Sequence, residues 1–259
     1  MVKKICEYKK ENGLRCRKAV DTSFTVGIDN KFTKNTYFCT EHMNTLKNFV
    51  KQMKYQKMSG IYYDDSEFSE KGIEESHNCT AYALNKIMRI LKKICIKQCQ
   101  ADDCDLNSEC RHLKPQPGKL SGIKDRIFNC PDMIFRTIID NPNIYISDFE
   151  TGCKKGYYKG AVVINPYKGY HYYRQDKPRS KKAIPGWSHK PGSTPVTKKD
   201  KSGRFIYNPL TCDRKYRGNN YKEFCNFFCI PNENLNLEHQ DMVNSGGKNK
   251  KKYSKKKIY

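Results

Sequence analysis

The first candidate catalytic residue occurs in the segment "SHNCTAYALNKIMRILKK", residues 76–93. Cys79 ends a polar run, and apolar residues at helical spacing then predict a helix from Cys79 to about Lys97. A thiol at a helix N-terminus has its thiolate stabilised by the unsatisfied N–H groups and the dipole of the first turn. Cys79 is therefore a candidate nucleophile, and the alternative is a small apolar residue at the edge of a core.

A cysteine nucleophile needs a base, usually a histidine, and a third group that orients the base. His171 alternates with tyrosines in "GYHYYRQD", and His189 follows in "GWSHKPG". These segments and "GAVVIN" at 160–165 have the composition and the Pro, Gly and Asn boundaries of short strands. A helix followed by short strands predicts an α+β fold, and antiparallel neighbours would place the imidazoles side by side. Alternatively, His171 is a hydrogen-bonded sheet residue and His189 lies in a turn.

This order of residues resembles the papain-like hydrolases of the NlpC and CHAP type over about 110 residues. The resemblance implies a core in which a helix with an N-terminal cysteine packs on a small antiparallel sheet. It also implies that Cys79 is the nucleophile, His171 the base and His189 the orienting residue. "KPQPGK" at 114–119 resembles the Pro-x-x-Gly-Asp loop of that family, with Lys119 in place of Asp.

In such a hydrolase the Cys79 thiolate attacks a peptide, amide or ester carbonyl, and water then clears the acyl-enzyme. The backbone N–H of Cys79, with a side chain such as Asn78 or Tyr63, is the tentative oxyanion site. A non-enzymatic protein that binds nucleic acid or a virion component is the competing class. Its tyrosines could stack on bases, although tyrosines also pack well in sheets.

The N-terminal region offers a candidate zinc site. Cys6, Cys16, Cys39 and His42 provide four ligands of the two types that zinc prefers, thiolate and imidazole, and "CTEH" lets one loop supply two of them. The region resembles small zinc-knuckle modules, which implies a structural zinc over residues 1–45. Unligated thiols are the alternative.

A second cysteine cluster lies in the segment around "QADDCDLNSECRH". A second zinc site there and accidental loop cysteines are both open interpretations. The cluster comprises Cys95, Cys99, Cys104, Cys110 and His112.

The net charge of +23 favours contact with polyanions. The lysine-rich tail "KNKKKYSKKK" at 248–257 is predicted to be disordered and to add non-specific affinity for nucleic acid. Its composition resembles proteins of large DNA viruses. A basic but solvated surface is the alternative.

Without an apolar signal segment, the thirteen cysteines indicate a reducing intracellular compartment, host cytoplasm or virion if the protein is viral. No run of residues is apolar enough to predict a membrane span. The predicted organisation is a zinc module at 1–45, a connector at 46–75, the papain-like α+β domain at 76–231 and a basic tail at 232–259. The substrate and the oligomeric state are left open.

Overall fold

The computed structural model describes residues 61–237, except residues 102, 124–128, 167, 178–185, 217 and 234. Helices and a small sheet make up this part of the chain, which confirms the predicted α+β class. The strands are β1 (Ile61–Tyr62), β2 (Tyr145–Ser147), β3 (Tyr157–Asn165), β4 (Gly169–Lys177), β5 (Trp187–Ser188), β6 (Lys215–Tyr216), β7 (Asn219–Asn220) and β8 (Glu223–Pro231). The helices are α1 (Ile73–Ser76), α2 (Cys79–Ala83), α3 (Arg89–Gln98), α4 (Leu106–Glu109) and α5 (Cys130–Asp140), with 3-10 turns at Glu67–Ser69 and Arg111–Leu113.

Three nine-residue strands, β3, β4 and β8, form the centre of the main sheet. The strand order is β1-β4-β3-β8-β2, and β5 pairs with β4. β3 is antiparallel to both β4 and β8, whereas the short β1 is parallel to β4. The central strands are rich in valine, isoleucine and aromatic residues, which fit a pleated, buried surface.

The single helix predicted over 79–97 is two helices, α2 and α3. α2 ends because Asn85 adopts a left-handed conformation with φ 48°, which Asn tolerates better than most residues. The Lys86 N–H then donates to the Ala81 carbonyl at 2.9 Å and closes the last turn. The apolar periodicity continues through this break, so it gave no sign of the interruption.

Side chains of the sheet alternate between two faces, and each face has its own core. α2 and α5 cover the first face, and the chain after β5 covers the second face. Buried members of the first core include Cys79, Met133, Tyr158, Val162, Ile164, Tyr172, Phe228 and Ile230. Buried members of the second core are Ala161, Val163, Tyr173, Trp187, Ile206 and Phe227.

Eight of the described cysteines form four disulfides, Cys95–Cys110, Cys99–Cys104, Cys130–Cys225 and Cys153–Cys229. Cys130–Cys225 fastens the start of α5 to β8, and Cys153–Cys229 fastens the connection between β2 and β3 to β8. Disulfides persist in oxidising environments. The prediction of a reducing intracellular compartment is therefore wrong, because these bonds point to an oxidising environment such as a secretory or extracellular one.

The prediction of structural zinc is also corrected. Cys95, Cys99, Cys104 and Cys110 are oxidised in pairs, with Cα–Cα distances of 5.2 and 5.4 Å that suit disulfides, so they offer no thiolates beside His112. Among the residues described, no group of three or more His, Cys, Asp or Glu side chains could hold a metal ion. The first proposed set, Cys6, Cys16, Cys39 and His42, lies outside the described residues.

Within the described residues, no helix combines the length and the apolar character needed to cross a membrane. Of the predicted tail at 232–259, only 232–237 without 234 is described, and the lysine-rich part lies outside the described residues. Its affinity for nucleic acid and the predicted domain boundaries stay predictions.

Candidate active site

Two predicted site residues, His171 and His189, are hydrogen-bonded to each other in the sheet. Nε2 of His171 in β4 lies 2.7 Å from Nδ1 of His189, which directly follows β5. The antiparallel register pairs Arg174 with Ser188, so His189 falls diagonally beside His171 on the same face. Both imidazoles are buried, with 2% and 0% of their surface exposed.

The surrounding hydrogen bonds assign the protons of this pair. Nε2 of His189 lies 3.0 Å from the carbonyl oxygen of Lys199, which can only accept, so this nitrogen carries the hydrogen. In a neutral imidazole Nδ1 of His189 is then an acceptor, and His171 donates its Nε2–H to it. This assignment leaves the lone pair of His171 on Nδ1. Backbone bonds of 2.9 Å in both directions between His189 and Thr197 fix the segment that holds the pair.

Aromatic rings enclose the imidazole pair and keep it neutral. The ring of Tyr221 stacks on His171 with centroids 5.3 Å apart, and Tyr173 lies 5.0 Å from both imidazoles. Burial lowers the pKa of His171 well below its ordinary value, and the neighbouring His189 lowers it further. Burial also lowers the pKa of His189 to about 4. At neutral pH both rings are therefore uncharged, and His171 has a free lone pair.

Cys79 is the first residue of α2, as predicted, but it is buried. Burial raises the pKa of its thiol to about 11, although the backbone of Tyr172 and the charge of Lys190 both act to lower it. The cost of burying the thiolate is therefore larger than the stabilisation from its surroundings. In the resting protein this sulfur carries its proton at neutral pH.

Cys79 and His171 approach β4 from different sides. Cys79 belongs to the core that contains Tyr172, whereas His171 points to the opposite face with Tyr173. Among the described residues no hydrogen bond joins the sulfur to either imidazole. Tyr221 stacks on His171, and the pKa of its hydroxyl is raised first by burial and then by the charge of Cys79.

The outer edge of β4 lies next to both groups. β4 pairs with β5 and β1 only from Arg174 onward, so its outer edge at 169–173 has no partner strand among the described residues. α2 lies against β4, and the backbone of Tyr172, the residue next to His171, interacts with the Cys79 sulfur. The backbone of Tyr172 thus contacts the sulfur, and the imidazole belongs to the preceding residue of the same strand, where both side chains are buried.

A buried polar network holds α2 in this position. Arg174 donates to the Tyr82 hydroxyl at 2.8 Å and to Oδ1 of Asn85 at 2.7 Å, and its guanidinium lies 4.1 Å from the Tyr82 ring centroid. Asp176 accepts from Arg174 at 3.3 Å and from the Ser188 hydroxyl at 2.8 Å. This network therefore links the end of α2 to both strands that carry the imidazole pair.

The two tentative oxyanion side chains lie in different surroundings. Asn78 caps α2, since its Oδ1 accepts the N–H groups of Thr80 and Ala81 at 3.1 and 3.3 Å. Its Nδ2 donates to the Pro115 carbonyl at 2.7 Å, within "KPQPGK". The hydroxyl of Tyr63 donates to Asp65 at 3.0 Å. In this state Asn78 positions the start of α2, and an oxyanion role for either residue stays a prediction.

The "KPQPGK" loop lies against the start of α2 and is anchored from a second side. Oδ2 of Asp140, the last residue of α5, accepts the N–H of Gly118 at 2.6 Å, and its Oδ1 accepts the N–H of Ser121 at 2.9 Å. Gly118 has φ +83°, a conformation that favours glycine. A small pocket opens between this loop, α5 and Tyr172, on the Cys79 side of β4.

Several groups near the candidate site were not predicted from the sequence. The thiol Cys212 is outside the disulfides and lies against Tyr173, on the face of the imidazole pair. Lys190, the residue after His189, is fully buried. The position of Lys190 directly after His189 in "SHKPG" was the one available signal, whereas nothing in the sequence marked the Lys199 carbonyl.

Comparisons with family models, with curated proteins and with solved structures found no match to this chain.

Proposed function

We propose that this protein is a cysteine-dependent hydrolase with a papain-like core, acting on an amide or ester carbonyl through Cys79, His171 and His189. The observation that supports it most is the 2.7 Å hydrogen bond between the imidazoles, with His189 held by the Lys199 carbonyl. This arrangement orients His171 and leaves Nδ1 as its acceptor, as a base requires.

In the proposed reaction the edge of β4 rearranges to bring Nδ1 of His171 to the Cys79 sulfur, which forms a bond to the carbonyl carbon as its proton passes to Nδ1. The tetrahedral intermediate collapses, the bond to the leaving amine or alcohol breaks, and His171 returns the proton to that leaving group. Water then attacks the thioester, with His171 taking its proton, and the carboxylic acid and the free thiol are released. His189 accepts the Nε2–H of His171 throughout and favours the positive charge that develops on it.

The pKa values support proton transfer during attack rather than a resting ion pair. A thiol with a pKa of about 11 and an imidazole with a strongly lowered pKa are both neutral at pH 7. Substrate that reaches the unpaired edge of β4 at 169–173 would meet the sulfur from one side and the imidazole from the other. The Cys79 N–H at the start of α2 is the proposed main donor to the oxyanion.

Acyl transfer from p-nitrophenyl acetate tests this proposal. We expect release of p-nitrophenol together with one acetyl group on the peptide that contains Cys79, read by mass spectrometry under non-reducing conditions. Cys79→Ala should abolish the adduct, because the nucleophile is removed.

Cys212→Ala is the matched control, since Cys212 is the other described thiol outside the disulfides. It should leave the acetylation of Cys79 unchanged. An adduct found on Cys212 instead, or none on any thiol, would contradict the proposal and favour a binding protein.

A further inference from the structure

We infer that the substrate carries an anionic group, a carboxylate or a phosphate, next to the scissile bond, and that the ammonium group of Lys114 binds it, with the buried Lys190 adding positive charge behind the turn. This inference rests on the proposed function, because it names the substrate class for the Cys79 site.

The two ammonium groups converge on one surface turn. Nζ of Lys190 lies 2.6 Å from the carbonyl oxygen of Gly192, and Nζ of Lys114 donates to the hydroxyl of Ser193. These acceptors are consecutive residues, although the two lysines are far apart in the sequence. Gly192 is exposed and Lys114 is half-buried, so a ligand can reach the turn from solvent.

Hydrogen bonds also place both lysines beside the start of α2. Lys114 precedes Pro115, whose carbonyl accepts from Asn78, the residue before Cys79, at 2.7 Å. Lys190 donates to the Glu74 carbonyl in α1 at 2.6 Å. The charge of Cys79 acts to raise the pKa of both ammonium groups. Arg111 acts to lower the pKa of Lys114, and Lys114 acts to lower that of Lys190. An anion at this turn would therefore lie close to a group that Cys79 attacks.

The lysines are poorly neutralised. Within the described residues Lys190 donates to two carbonyls and to no carboxylate, which is unusual for a fully buried lysine. Of the two carboxyl groups on α1, Glu75 accepts the Gly72 N–H at 2.6 Å, and the charge of Glu74 offsets only part of the cost of burying Lys190, whose pKa is lowered to about 8. Arg111 adds further positive charge near Lys114. A substrate anion would compensate this excess.

Alkylation of Cys79 by iodoacetate and by iodoacetamide provides the test, because the reagents have nearly the same size and differ in charge. We take the ratio of the iodoacetate rate to the iodoacetamide rate. The fraction of Cys79 present as thiolate affects both rates equally and therefore cancels in this ratio. We expect the ratio to fall at least about fivefold in Lys114→Gln, as one partly buried charge is worth about 1 kcal/mol or more at short range. Lys93→Gln, an exposed lysine on α3, is the control and should leave the ratio unchanged.

A second variant and two anionic competitors test the anion site separately from the proposed function. Lys190→Gln should lower the ratio as well, and Lys114→Gln keeps the test valid if the buried substitution impairs folding. N-acetylglycine or methyl phosphate should slow alkylation of the parent protein but not of Lys114→Gln, and the stronger competitor identifies the anion. A ratio that Lys114→Gln leaves unchanged would overturn the anion site alone. If neither reagent modifies Cys79 at any pH up to 11, the proposed function fails, and the inference fails with it.

Discussion

The carbonyl oxygen of Lys199 lies 3.0 Å from Nε2 of His189 and thereby determines which nitrogen of each imidazole carries hydrogen. Because Nδ1 of His189 is then an acceptor, Nε2 of His171 donates to it at 2.7 Å, and Nδ1 of His171 keeps its lone pair. A main-chain group outside the predicted motif thus orients the candidate base.

Substitution of His189 tests this orientation. His189→Ala removes the acceptor for His171 Nε2–H, so the ring can rotate, and we expect acetylation of Cys79 by p-nitrophenyl acetate to slow about tenfold or more. His189→Asn should lose less, because its amide oxygen can still accept that hydrogen. Equal rates in all three proteins would remove His189 from the site.

His77 should make stability depend on pH. It is buried, accepts the Met88 N–H at 2.9 Å, and burial lowers its pKa from 6.5 to about 4. Between these values the unfolded chain binds a proton that the folded chain does not, so this contribution to stability is lost as the pH falls from about 6.5 to about 4. The linked loss is about 3 kcal/mol.

Urea unfolding at several pH values measures this effect. His77→Gln can keep the bond to Met88 and cannot titrate, so its free energy of unfolding should fall less steeply than that of the parent over the same range. Parallel curves for the two proteins would contradict the prediction.

The buried pair of Arg174 and Asp176 should be strongly coupled. Arg174→Leu leaves the Asp176 carboxylate without its cation and removes the anchor of Tyr82, and we expect a loss of about 3–5 kcal/mol in the free energy of unfolding. The double variant Arg174→Leu/Asp176→Leu should cost clearly less than the sum of the two single changes. Additive losses in a denaturant titration would mean that the charges do not interact.

The long-range disulfide should stabilise more than the local one. Cys153–Cys229 spans 76 residues and Cys99–Cys104 spans 5, so loop entropy predicts losses of about 4 and about 2 kcal/mol when each pair is replaced by alanines. Urea unfolding compares the two variants. Alkylation of Cys153 or Cys229 in the native protein without reductant would show that this bond is absent.

Local patterns predicted those parts of the fold that local chemistry determines. Alternation in "YHYYRQ" and the β-branched run "GAVVIN" indicated strands, and the structure has β4 and β3 at those positions. The neighbouring histidines meet because β4 and β5 are antiparallel, an arrangement that the sequence allowed but that their spacing alone did not establish. The interruption of the helix after α2 escaped prediction because it depends on the left-handed Asn85 and on its tertiary bond to Arg174.

Cysteine chemistry could not be read from spacing alone. Cys130 and Cys225 are 95 residues apart, and only the packing of α5 on β8 brings them together. Cys95 and Cys110 are near in sequence, yet the same spacing suits a disulfide or a zinc ligand set. The burial of Cys79 likewise follows from the contact of α2 with β4. The sequence motif suggested an activated thiolate and could not indicate that burial raises the pKa of this thiol.

If His171 is the base for acyl transfer to Cys79, its removal should slow the acetylation of Cys79 by p-nitrophenyl acetate. We expect the rate in His171→Ala to be at least about 100-fold below that of the parent protein at pH 7, because a positioned general base contributes about 10²–10⁴-fold. Circular dichroism should show the same fold in both proteins. An unchanged rate in a folded His171→Ala protein would contradict the claim.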